Sequence, residues 1–222
     1  SVDLREWRPC SFEAFVRELD HIVAHCGQLQ HLPIFRGHRD SRWPLDSTFV
    51  RWVKEYVLGV SPFSKVQNDY RQSKQYLRLL AEILFYKFGT LTRPSRGLLE
   101  LSEKESDIDP WFEWMKRIQQ HPDEDIGPIR GSFLLDWTQN ISVAVYFANE
   151  CRHPQVSGAV WVADLDAMGK ILHRDMTVGE MLQRMEEAIG NGEPPGCPLV
   201  FCPKKQIASK RARNQVAIYM AQ

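Results

Sequence analysis

The chain has 222 residues, and its 28 Lys and Arg are matched by 28 Asp and Glu. That length can bury one good core, while zero net charge excludes a global electrostatic commitment to nucleic acid or to an anionic membrane. No run approaches the ~18 apolar residues of a membrane span, and the five cysteines (Cys10, Cys26, Cys151, Cys197, Cys202) are odd in number and form no C-x-x-C pair, which argues against a disulfide framework or a zinc knuckle.

A reducing cytosol is the simplest setting, so a cytoplasmic protein is expected. No charged-then-apolar leader opens the chain, although Ser1 leaves room for a trimmed leader or neighbouring domain and for a secreted effector acting in a host cytosol. No composition break divides residues 1–222, and a single domain is expected.

In chain order, Ser11 can cap a helix that aligns Phe12, Phe15, Val16, Leu19, Ile22, Val23 and Cys26 on one side and ends before Gly27. His21 and His25 lie four apart on it, without the further ligands a metal site needs. Ile34 and Phe35 then read as a short strand that breaks at Gly37, among Arg36, His38, Arg39, Asp40 and Arg42. Such a glycine lets backbone groups approach a ligand, and a guanidinium fork can hold phosphate or ribose oxygens. A turn whose Arg pairs with a carboxylate explains the same residues equally well. Trp43, Leu45, Phe49 and Trp52 follow as apolar anchors.

Residues 64–87 read as a long amphipathic helix, 89–110 as a loop, and 111–120 as a short helix before the acidic turn 121–128. Phe133, Leu134 and Leu135 read as a buried strand that runs into Asp136, Trp137 and Thr138 at a rim. A helix capped by Thr138 or Asn140 follows, and it is apolar on nearly every face from Ile141 to Ala148, so a buried helix is expected. Asp136 as a mere cap stands beside the ligand-site reading. Gly158–Leu165 and Leu199–Cys202 read as strands, Thr177 and Glu180 as a capping box, and Val216, Ile218 and Met220 as one face of a last strand. Before that strand Lys204, Lys205, Lys210, Arg211 and Arg213 form a local basic patch able to meet nucleic-acid phosphates, or simply a solvated loop. The class is α+β: a helical N-terminal part packed on a small mixed or antiparallel sheet.

Two blocks, FRGHRDSRWPLDSTFVR (35–51) and LLDWTQNISVAVYFA (134–148), together resemble the FRG-domain family. The first matches through Phe35, Arg36, Gly37, His38, Trp43, Leu45 and Arg51. The second matches through Leu134 to Thr138 and Tyr146 to Ala148, and Arg211 or Arg213 with Gln215 forms a weaker third block. The chain departs from the family pattern before LLDWT, where Phe133 replaces a usual Arg and a usual His has no match.

That family is distantly similar to ADP-ribosyltransferases, and the resemblance implies their fold and NAD as substrate. By that analogy Arg36, with Gly37, His38, Arg51 and Thr138, would hold the NAD, while Trp137 or Tyr146 would cover the ring. Gln215 falls where the wider fold has its catalytic acid, which leaves Asp136, expected to share one cleft with Arg36, as the acid within the blocks. The implied function is mono-ADP-ribosylation of a protein or nucleic-acid acceptor, or NAD hydrolysis, in toxin or defence use. The alternative is a catalytically inactive module that binds a nucleotide or partner.

Overall fold

A computed structural model describes residues 6–56, 58–63, 112, 116, 131–132, 134–169, 172–174, 176–177, 180, 184, 187, 199–202 and 217–221. Helix α1 (Phe12–Gln28) opens this part, followed by strand β1 (Pro33–His38), helix α2 (Thr48–Tyr56), strand β2 (Leu134–Thr138) and helix α3 (Ile141–Asn149). Strands β3 (Ala159–Asp164), β4 (Leu172–Arg174), β5 (Leu199–Cys202) and β6 (Ala217–Ala221) complete it. The expected long helix at 64–87, the acidic turn, the basic patch and Gln215 lie outside the described residues.

Local chemistry explains the helix ends. The Ser11 side chain accepts from the Ala14 N–H at 3.1 Å and so caps α1. Asn140 accepts from the Ser142 N–H at 3.0 Å and is the cap of α3, while Thr138 Oγ1 turns the chain into it by accepting from the Asn140 N–H. The capping box forms as expected, with Thr177 N–H on Glu180 Oε2 at 2.8 Å and Glu180 N–H on Thr177 Oγ1 at 3.2 Å. Of the apolar stripe on α1 only Leu19 and Cys26 are buried, and Phe12, Val16 and Val23 are exposed.

The strands make one mixed sheet in the order β3-β1-β2-β6-β5-β4, antiparallel except for the parallel pair β4–β5. The class is therefore α+β with a small, mainly antiparallel sheet. One sheet face carries Ile34, Leu135, Trp137, Val200, Ile218 and Met220 as a continuous core with Leu165. The other buries Phe35, Leu134 and Tyr219, the last edge-on to Phe112 at 4.8 Å. Full burial of such a side chain contributes roughly 1.5–3 kcal/mol.

Three expectations are corrected. Strand β1 does not break at Gly37 but runs through it, because Gly37 pairs with Val160 in the β1–β3 ladder. Asp136, Trp137 and Thr138 do not stand beyond their strand at a rim; they are rungs of β2, opposite Tyr219, Ile218 and Ala217 of β6. Helix α3 is not buried all round: Ala144 and Ala148 are, whereas Tyr146 is 56% exposed, since the helix meets β1 along its small-residue edge. Helix α2 and strand β4 were not anticipated.

Candidate functional site at the β1–β2 seam

The neighbouring strands β1 and β2 barely pair. Strand β1 runs beside β3 from Pro33↔Asp164 to His38↔Ala159, and β2 beside β6 from Leu134↔Ala221 to Thr138↔Ala217. Between β1 and β2 the ladder is the pairing Phe35↔Thr138 alone, although both strands are described in full. A buried strand carbonyl facing such a seam needs another donor. Arg36 supplies it: Nη1–H donates to the Asp136 carbonyl oxygen at 2.5 Å. A guanidinium thus stands where a ladder bond would be.

The same guanidinium is fixed from its other edge, where Nε–H donates to His38 Nε2 at 2.9 Å. Burial pulls the Arg36 guanidinium down to about 10, opposed by the charge of Asp136 and helped by that of Arg51. His38 is buried, and burial, then the positive charges of Arg36 and Arg51, push it down to about 3 against a hydrogen bond to the Trp43 backbone. Both His38 ring nitrogens face an N–H, since Trp161 Nε1 lies 3.2 Å from Nδ1. A neutral imidazole accepts at one nitrogen only. The charged bond from Arg36 is the shorter of the two, at 2.9 Å, and Trp161 also packs edge-on to the ring at 6.1 Å between centroids.

Two further guanidiniums flank this pair. Arg51 on α2 donates to the Asp46 carbonyl at 3.1 Å and to Thr48 Oγ1 at 3.2 Å, and burial lowers its pKa, opposed by Asp46 and helped by Arg39. Arg39 lies over the Trp43 ring at 5.1 Å and Arg51 at 6.0 Å. Nearby carboxylates are engaged elsewhere, Asp46 by Lys54 at 2.5 Å and Asp40 by Arg42 at 2.6 Å. Among the described residues Arg36, Arg39 and Arg51 therefore have no ion-paired carboxylate, and a group of three guanidiniums, two of them half-buried, whose neighbouring carboxylates are paired elsewhere favours an anionic ligand. Trp137 adds a donor on the same sheet face, for its buried Nε1–H meets no acceptor among the described residues.

Asp136 does not join this cluster. Side chains alternate along a strand, so Leu135 and Trp137 share the face of Arg36 while Asp136 points to the other, toward Lys116, whose Nζ is 2.9 Å from Oδ2. Lys116 is 3% exposed and lies 4.9 Å over the Tyr219 ring. The expected cleft shared by Arg36 and Asp136 is thus replaced by a contact between the Arg36 side chain and the Asp136 backbone. Gly37 faces α3, Thr138 is buried at the strand end, Trp137 sits in the core at 3% exposure, and Tyr146 is outside on α3, donating to Glu150 at 2.8 Å. The sequence brought Arg36, Gly37, His38 and Arg51 into view. It offered no sign of Lys116, 20 positions before Asp136, or of Trp161, because neither pairing has a local spacing rule.

The lowered His38 value predicts an acid-stability slope. A neutral imidazole held below its ordinary value stabilises the fold fully above about pH 6.5, and that contribution is lost as pH falls, because the unfolded chain binds a proton the folded one refuses. From pH 7 to 5 the loss is about 2 kcal/mol, and His38→Gln should remove it. Urea melts of both proteins at the two pH values check this, and equal slopes would reject the buried neutral imidazole.

Residues 32–156, more than half of the chain, match the family model described as FRG domain. No curated protein and no solved structure matches the chain.

Proposed function

The chain belongs to the FRG-domain family, and from its seam geometry we propose that it is a nucleotide-binding module of ADP-ribosyltransferase type that takes the pyrophosphate of NAD at Arg36, Arg39 and Arg51. The observation that carries this reading is the cluster of three guanidiniums without an ion-paired carboxylate among the described residues, one of them pinned by its Nε and Nη1. Such a site calls for a multiply charged oxyanion, since planar forks match phosphate oxygens and each charge-assisted bond strengthens where water is scarce. Trp43 and Trp161 wall it with apolar surface. The placement of Asp136 on the opposite sheet face favours binding without Asp136-driven turnover.

Calorimetry with NAD, ADP-ribose and nicotinamide riboside, which lacks the pyrophosphate, tests the proposal. Binding of the first two and not the third is expected. Arg36→Ala should weaken it by about 1.5–3 kcal/mol, the range of a lost charge-assisted contact, and Arg36→Lys should restore only part. Equal affinities in all three proteins would place the ligand elsewhere.

One observation favours the catalytic reading, a transferase or NAD glycohydrolase: Asp136 Oδ1 is buried with no hydrogen-bond partner among the described residues, which leaves a carboxylate oxygen with spare acceptor capacity. Nicotinamide release from NAD, with and without cell extract as a source of acceptors, decides between the two readings.

A further inference from the structure

We propose that His38 is a positioning residue that never touches the ligand and acts by holding the Arg36 guanidinium in the seam with its outer nitrogen turned to the anion. The inference rests on the nucleotide reading of the same site. His38 Nε2 occupies the Nε–H of Arg36 at 2.9 Å and the Asp136 carbonyl occupies Nη1, which leaves the Nη2 edge for ligand oxygens. Arg36 carries several freely rotating bonds, and without these two acceptors the fork would sample orientations that cost affinity on binding. His38 is itself fixed. It is 3% exposed and lies between Trp161 on β3, at 6.1 Å, and Trp43, at 6.2 Å, with Trp161 Nε1 3.2 Å from its Nδ1.

An imidazole suits this role because it accepts a hydrogen bond while carrying no charge, whereas a carboxylate there would neutralise Arg36 and weaken its pull on an anion. Protonation of His38 would remove the acceptor and set a second cation against Arg36. The charged groups facing the ring are Arg36 on its own strand and Arg51 on α2, both of which oppose that protonation. The hold on Arg36 therefore persists through the neutral and mildly acid range.

ADP-ribose binding to the full chain separates positioning from packing. His38→Leu, which keeps an apolar body and loses the acceptor, should bind about ten-fold more weakly, and His38→Gln, which can present an oxygen toward Arg36, should recover most of the loss. Nitrogen-resolved NMR of the wild type should show an Arg36 Nε–H protected from solvent exchange, with protection lost in the Leu variant. This spectrum keeps the proposal testable if that variant folds poorly, since a freely exchanging Nε–H in the wild type overturns it. Unchanged affinity in His38→Leu while Arg36→Ala fails to bind would also overturn it and leave the anion site standing. A wild type that binds no ADP-ribose would instead reject the nucleotide reading.

Discussion

Gly37→Ala is expected to cost about 3 kcal/mol or more, the upper end of overpacking effects, and so to lower the melting temperature by roughly 6–12 °C for a chain of this size. A Cβ at this position would stand 1.9 Å from the Ala144 carbonyl oxygen, 2.6 Å from the Ala148 nitrogen and 2.9 Å from the Ala144 carbonyl carbon. All three obstacles are backbone atoms of α3, so no side chain can swing aside. Relief requires moving the helix away from β1, which would uncover Phe35 and drag the strand that carries Arg36 and His38. Gly158→Ala should behave similarly, with the Ala148 carbonyl oxygen at 2.2 Å. Gly27→Ala on α1 supplies the control: nothing lies within 4 Å of its added methyl, and exchanging Gly for Ala in a helix should stabilise by up to about 1 kcal/mol. Thermal melts of the three variants check the scheme, and a Gly37→Ala protein as stable as Gly27→Ala would show that α3 is not seated on β1 as described.

Asp136→Asn is expected to act on stability rather than on ligand affinity, with a loss of about 3 kcal/mol, the low end for removing one partner of a buried pair because the carboxylate is partly exposed. The substitution preserves shape but removes the negative charge 2.9 Å from the Lys116 ammonium, whose side chain is 4% exposed against 34% for Asp136. The Asp136 carbonyl that receives Arg36 belongs to the backbone and is untouched, so the affinity for NAD should change little. Lys116→Met, which fills the same space without a charge, should recover much of the stability in the double variant, since no buried ammonium is then left without its carboxylate. Chemical denaturation gives the stability and calorimetry the affinity. Stability unchanged with nicotinamide release falling at least ~100-fold, the loss usual for one positioned catalytic group, would reverse the assignment and make Asp136 a catalytic acid.

The glycine and the aspartate also show what could be read along the chain. Both were visible as special, since a Gly in an apolar strand pattern marks a bulge or a close approach and an acid after an apolar run invites a function. Which of several meanings each carries depends on a distant partner. Gly37 is small because Ala144 and Ala148, over 100 positions later, bring a helix against it, not because a ligand does. Asp136 points away from Arg36 because the β2–β6 ladder extends through Asp136 to Thr138 and the period of two sends neighbouring residues to opposite faces. The apolar run before it marked the strand but not its end.

By itself the sequence determined the features governed by short-range chemistry: the Ser11 cap and α1, the Thr177–Glu180 box, the strands at Ala159–Asp164, Leu199–Cys202 and Ala217–Ala221, and the FRG and LLDWT blocks. Each rests on residues within a few positions of one another, where capping and periodicity operate. Only the tertiary structure decided that β1 and β2 nearly part, that Arg36 fills the seam against the Asp136 carbonyl, that His38 stays neutral between two tryptophans, and that Lys116 rather than Arg36 faces the Asp136 side chain. These depend on register and on packing between segments far apart in the chain, and a shift of one residue in the pairing, which local patterns only weakly constrain, would send every one of those side chains to the other face.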